Sequence, residues 1–299
     1  MPFYRFEELE AHSLTPHLSS ARGPVIEGTY LNFCLVRKEP GTGSEPHYHP
    51  NELLIFPLSG AIDALIGTDR TVLKPGMFAQ VPRYALHSMK ATTSGPLEYL
   101  YMKDKTWTVV GLAADEAVPE KAMTVEEVNR LYDSQALPRA NTQQASSAVM
   151  TRGSASFYRF IDGLDAPPSS TYYAACVEGM HLAFTFVDIP AEEGPGKDEA
   201  PLPLFEMPRG GEGGERRSPY ETFLYVIGGA VSATVDGERK ALGAGDIAHI
   251  PKGASYRLDY RKSAGLRLAT VCATPALQKR IDSMSPEEAA QARVHVGAN

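Results

Sequence analysis

The sequence predicts an all-β protein made of two similar barrels in tandem, each followed by a short helix. Three observations predict it. Gly (26) and Pro (23) punctuate short β-branched and aromatic runs, at the roughly 8–12-residue spacing of a sandwich or barrel rather than of βαβ units. The longest apolar runs, residues 53–58 and 223–227, are strand-sized, whereas a membrane helix needs about 18 residues. The chain also repeats itself, the mark of a duplicated unit. Glu52, Gly60, Gly76 and Pro82 recur as Glu221, Gly229, Gly245 and Pro251, all at an offset of 169.

Taken in order, the first strand carries Phe3-Tyr4-Arg5-Phe6, which returns as Phe157-Tyr158-Arg159-Phe160. Glu27-Gly28-Thr29-Tyr30-Leu31-Asn32-Phe33 returns as Glu178-Gly179-Met180-His181-Leu182-Ala183-Phe184, at an offset of 151. The step from 151 to 169 places 18 extra residues in the second copy, within 191–217. That segment is rich in Gly, Pro and charge and reads as a surface loop, with a lid over the first barrel as the alternative. Thr124-Val125-Glu126-Glu127 is a capping box that opens a helix reaching about Tyr132. The polar stretch 133–147 reads as a linker. Ser285-Pro286-Glu287-Glu288 is a second capping box with Pro at the first helical position. The expected domains are 1–135 and 154–299, joined by 136–153.

Charge and cysteine usage narrow the function. The balance of 29 basic and 36 acidic residues, a net charge of −7, argues against nucleic acid. The N-terminus lacks a basic start followed by an apolar run, so no signal peptide is expected. Cys34, Cys176 and Cys272 are widely spaced and odd in number, which disfavours a disulfide framework and points to a reducing cytoplasm. No membrane partner is expected.

The chemistry gathers in one stretch. His47-Tyr48-His49-Pro50-Asn51-Glu52 opens the strongest repeat segment. Alternate strand residues share a face, so His47 and His49 point one way and Tyr48 the other. Past the Pro-Asn irregularity, Glu52 is expected to return to the histidine side. His87, five residues after Pro82, enters from a neighbouring strand. Three imidazoles and one carboxylate suit a divalent first-row metal, with two positions open for substrate and oxygen or water. His12, His17, His181, His249 and His295 read as ordinary core or surface residues.

Gly43-(x)3-His47-x-His49-(x)2-Glu52-(x)7-Gly60 and Gly76-(x)5-Pro82-(x)4-His87 resemble the two motifs of the cupin superfamily. The resemblance implies jelly-roll barrels (the double-stranded β-helix). It assigns His47, His49, Glu52 and His87 as metal ligands. Tyr84 departs from the family pattern, which usually has Gly there. The second copy keeps the frame and loses the site. His47, His49 and His87 map to Arg216, Ser218 and Tyr256, and only Glu221 survives. The chain therefore resembles a bicupin with one live and one degenerate barrel.

Gentisate-type dioxygenases resemble it in keeping an N-terminal site, with three histidines and no Glu. Quercetinase-type dioxygenases and oxalate decarboxylases use three His and one Glu. Ureidoglycine aminohydrolases keep the live site in the other barrel. The leading expectation is an Fe(II) dioxygenase acting on a small hydroxylated or keto acid, aromatic ones included, with O2 as co-substrate. Mn(II), Ni(II) or Zn(II) are the alternative metals. Glu52 would act as ligand or base, Arg83 would clamp a substrate carboxylate, and Tyr84 would reach the pocket. Leu54, Phe56, Met77, Phe78 and Leu86 would give the barrel apolar walls. The alternatives are an Mn(II)-dependent aminohydrolase, isomerase or decarboxylase, or a non-enzymatic small-molecule-binding cupin. A homodimer follows from the resemblance.

Overall fold

The protein, described here as a computed structural model, is defined over residues 1–137, 156–165, 170–192, 198–202 and 216–294. It divides into two compact units, Leu9–Asp165 with Lys279–Asn299, and Met1–Glu8 with Ala166–Gln278. Each is a jelly-roll barrel of two antiparallel sheets. Among the described residues, no helix is long and apolar enough to cross a membrane.

In the first unit, the larger sheet runs in the order Ser156–Arg159, Met77–Val81, Leu53–Ser59, Leu97–Asp104, Leu31–Lys38, Arg22–Glu27 and Ala11–Ser13. The smaller sheet runs Leu112–Ala113, His47–Tyr48, His87–Ala91, Ile62–Ile66 and Asp69–Leu73. The second unit repeats the plan, with Phe3–Arg5, Asp246–Ile250, Thr222–Gly229, Leu266–Ala273, Leu182–Ile189 and Tyr173–Glu178 in its larger sheet. Its smaller sheet holds Glu199–Pro201, Ser255–Arg261, Val231–Val235 and Glu238–Leu242, with Arg216–Arg217 also paired to Ser255–Arg261.

The units are not the contiguous halves 1–135 and 154–299. The repeated Phe-Tyr-Arg-Phe segments are exchanged. Phe3, Tyr4 and Arg5 pair with Ala248, Ile247 and Asp246. Phe157, Tyr158 and Arg159 pair with Ala79, Phe78 and Met77, the equivalent strand of the other copy. Arg5 Nε bonds Asp246 Oδ1 at 2.6 Å. Phe160 stacks on Phe78 with ring centroids 5.7 Å apart. Both contacts fix a strand that has no neighbour close in sequence.

Both capping boxes form, Thr124 with Glu127 ahead of Val125–Asp133 and Ser285 with Glu288 ahead of Pro286–Gln291. A third helix, Pro275–Asp282, precedes the latter. Gly60, at φ +71°, needs its hydrogen, because a Cβ there would lie 2.3 Å from Pro96 O. Gly229 meets Gly265 O at the same 2.3 Å, which explains why the repeat keeps this glycine. Most of the expected linker, and residues 193–197 and 203–215 of the expected loop or lid, lie outside the described residues.

The side-chain parity of the first barrel differs from expectation. Leu53 and Ile55, with Lys38, Tyr99 and Tyr101, line the space inside it. Leu54 pairs with Gln80, while Phe56 and Phe78 pack against Phe160 on the other face of the same sheet. The inner wall is still mainly apolar, but Leu53, Ile55 and Met89 build it in place of Leu54, Phe56 and Phe78.

Candidate metal centre

The three histidines come together. His47 and His87 are directly opposite each other on neighbouring strands, with ring centroids 4.2 Å apart. His49 lies 4.8 Å from His87 and 6.3 Å from His47 by the same measure. All three are buried.

Each ring is oriented by a carbonyl two residues away. Nδ1 of His47 meets Glu45 O at 2.7 Å, that of His49 meets Asn51 O at 3.1 Å, and that of His87 meets Ala85 O at 3.0 Å. A carbonyl oxygen only accepts, so each Nδ1 carries the proton and each Nε2 keeps its lone pair. Burial is the main cause that holds His47 and His49 well below the usual imidazole value and His87 at about 4. The rings are therefore neutral at pH 7, as ligation requires.

Glu52 does not join them. Its side chain accepts a hydrogen bond from Gln80 Nε2 at 2.9 Å, on the sheet face that carries Leu54. Leu53 instead lines the inner cavity beside His47 and His87. The cause is the chain path through Pro50 and Asn51. Asn51 Nδ2 donates to Asp104 O (2.6 Å) and Trp107 O (3.0 Å), and Glu52 N–H donates to Asp104 Oδ2 (2.7 Å). These bonds hold the start of the strand one residue out of the expected parity, and one residue reverses the face.

Among the described residues, no group of three or more His, Cys, Asp or Glu side chains is placed so that it could hold a metal ion as it stands. Neutral imidazoles are nonetheless the donor type that divalent first-row metals take. His49 Nε2 is buried with no hydrogen-bond partner, and an orphaned buried acceptor asks for one. The shared Nδ1 anchoring leaves the same atom free on the other two rings.

Sequence reasoning missed several neighbours. Gly111 packs so closely that a Cβ would lie 2.6 Å from His47 Cδ2. Lys38 and Lys103 are buried, and Nζ donates to Met89 O at 2.7 Å and to Val109 O at 3.0 Å respectively. Burial lowers both to about 7. Lys38, Tyr99, Tyr101 and Met89 line the inner cavity with His47 and His87, a space of about 30 Å³. A lysine near the end of a strand reads as solvent-facing, so no local signal announced either one. Arg83 and Tyr84 are not in this cavity. Arg83 Nε donates to Pro50 O at 2.7 Å, and both side chains line a separate space of about 170 Å³. Tyr48 donates its hydroxyl to Glu116 O, facing away from the histidines as its parity predicts.

The second barrel repeats the frame without the donors. Arg216 is opposite Tyr256, in the register of His47 and His87. Ser218 Oγ donates to Tyr220 O at 2.6 Å. Arginine stays protonated and cannot ligate. Glu221 meets His249 Nε2 at 2.9 Å, and the His249 ring stacks on Phe223.

Comparison with known proteins bears on the same two segments. The family model described as "Cupin domain" matches residues 34–103 and 203–272, which repeats the 169-residue offset. No curated protein sequence matches the chain. Among solved structures, oxalate decarboxylase from Bacillus subtilis is 14% identical, with a TM-score of 0.57 over 91% of this chain and 76% of its own. AerE from Microcystis aeruginosa is also 14% identical, with a TM-score of 0.55 over 92% and 100% of the two chains. Protein Ylba from E. coli is 9% identical, with a TM-score of 0.57 over 91% and 90%. At these identities the likeness concerns the fold.

Proposed function

Since the chain belongs to the cupin superfamily, with two cupin domains in tandem, we propose that its first barrel is a metal-dependent decarboxylase site for a short carboxylic acid. His47, His49 and His87 would hold the metal through Nε2. A divalent ion there supplies a Lewis-acidic anchor that polarises a bound carboxylate.

Cavity size carries this reading. About 30 Å³ is close to one water's share of liquid volume. So small a space disfavours an aromatic acid more than it does a short one. Three neutral ligands also leave the charge of a divalent ion uncompensated, which favours an anionic substrate. The chain's other cation in the cavity is Lys38, which holds the second end of such an acid. At about 7, its Nζ can also give a proton to the carbon that loses CO2 and regain one from solvent. Burial keeps Tyr99 and Tyr101 protonated, as donors. The fold likeness to oxalate decarboxylase, an Mn(II) enzyme in B. subtilis, supports the same class.

Fe(II)-dependent dioxygenation is the second reading. It is favoured by a three-histidine set without a carboxylate, the pattern of the gentisate-type enzymes. The test is reconstitution with Mn(II) or Fe(II) and a panel of short acids, following CO2 and O2 together. CO2 release without O2 uptake is expected. O2 consumed in proportion to product would transfer the assignment to the dioxygenase. A homodimer belongs to the same proposal, and sedimentation as a monomer at micromolar concentration would remove it.

A further inference from the structure

We propose that the first unit holds a second ligand site, for a small planar carboxylate, in the cavity lined by Arg83, Tyr84, Trp107, Met284, Arg280 and Glu288. Its volume of about 170 Å³ exceeds the ~150 Å³ that accommodates benzene in an engineered cavity.

The backbone gives the first argument. Tyr84 sits at φ +60°, in the left-handed region. Its counterpart in the second copy is Gly253, at φ +84°. The same turn is thus built twice, closed by Ala85 N–H on Pro82 O and by Ala254 N–H on Pro251 O, each at 3.1 Å. One copy uses the residue that makes the turn without strain. The other keeps a half-exposed tyrosine there. Strain retained where an internal repeat avoids it points to a function for the side chain.

Charge and aromatic surface give the second. The Arg83 guanidinium lies 5.4 Å from the Tyr84 ring. Its Nε is taken by Pro50 O, and its terminal amines have no protein partner among the described residues. Arg280 is paired with Glu288 at 2.8 Å, so the three ionic groups sum to one positive charge. A carboxylate neutralises it, and a guanidinium binds a carboxylate through two parallel bonds. Tyr84, Trp107 and Met284 offer flat, polarisable surface to the rest of the ligand. The Trp107 ring is nine-tenths buried and its Nε1–H has no acceptor.

The site borders the metal-ligand loop. Tyr84 N–H donates to His49 O at 2.9 Å, and Arg83 to Pro50 O. An occupant would therefore rest against the backbone that carries His49, without entering the inner cavity.

Trp107 is the chain's only tryptophan, so its fluorescence reports this cavity. The experiment titrates the full-length protein with benzoate at fixed ionic strength, with benzamide as the uncharged control. A saturable change with benzoate alone is expected. Arg83→Met should weaken it by about tenfold or more. Tyr84→Gly should weaken it while the melting temperature stays level or rises. His47→Ala, which breaks the metal centre, should bind benzoate as before. The proposal is overturned by the absence of a saturable change, by equal binding in Arg83→Met and Tyr84→Gly, or by loss of the signal in His47→Ala, which would place benzoate on the metal.

Discussion

A buried imidazole serves a metal only when its proton is on the far nitrogen, and here three backbone carbonyls put it there. His47→Ala should therefore abolish bound metal. Glu52→Gln should leave the metal content unchanged, because that carboxylate faces Gln80. Elemental analysis of both variants decides whether the set is three histidines or three and a carboxylate. Gly111→Ala should lower metal affinity without unfolding the chain, since the added methyl meets the His47 ring rather than backbone. Lys38 sets a pH dependence. Burial lowers it to about 7 in the folded chain, against about 10.4 unfolded. The unfolded chain binds the extra proton between those values, so stability rises with pH from about 7 to 10.4 and is lowest below 7. Lys38→Met should gain about 3 kcal/mol below pH 7 after losing its bond to Met89. The gain should shrink towards pH 10, as urea unfolding at pH 6 and pH 10 would measure.

At the scale of elements, Asp104 is the joint between the ligand loop and the strand Leu97–Asp104. Its carboxylate accepts from Glu52 N, Thr106 N and Thr106 Oγ1 at 2.7, 2.9 and 2.5 Å. Asp104→Ala strands buried donors and should cost about 2–4 kcal/mol, read by denaturant unfolding, and should loosen metal binding with it. This joint also marks where the sequence stops being legible. The barrels, their turns and both capping boxes could be read because their signals are local or repeat at one offset. The face of Glu52 could not. Asn51 sets it by bonding Asp104 and Trp107, 53 and 56 residues further on, and spacing within a motif carries no trace of partners so far away. Lys38 escaped for the same reason, since the carbonyl that satisfies it, Met89 O, is 51 residues away.

At the scale of the whole chain, only the first barrel should load metal, and Glu221→Ala should leave the metal content untouched. Deleting residues 1–8 removes the strand on Asp246–Ile250, the Arg5 pair to Asp246 and the buried Phe6. The second unit should then unfold at lower denaturant, with faster amide exchange at residues 247–250, while the first unit keeps its metal.

The exchanged strands have a consequence during synthesis. Arg5 and Asp246 are 241 residues apart, a separation that a ribosome adding about 5–20 residues per second covers in roughly 12–50 s. The strand Phe3–Arg5 is made before its partner Asp246–Ile250 and waits that long for its place. The first barrel waits too. It lacks Ser156–Arg159 until after its other strands are made, and Tyr30 finds Asp282 only 252 residues later. Assembly order is thus uncoupled from synthesis order. A ribosome that stalls between residues 160 and 240 leaves Phe3–Arg5 without its strand partner and Tyr30 without Asp282, the kind of surface on which chaperones act.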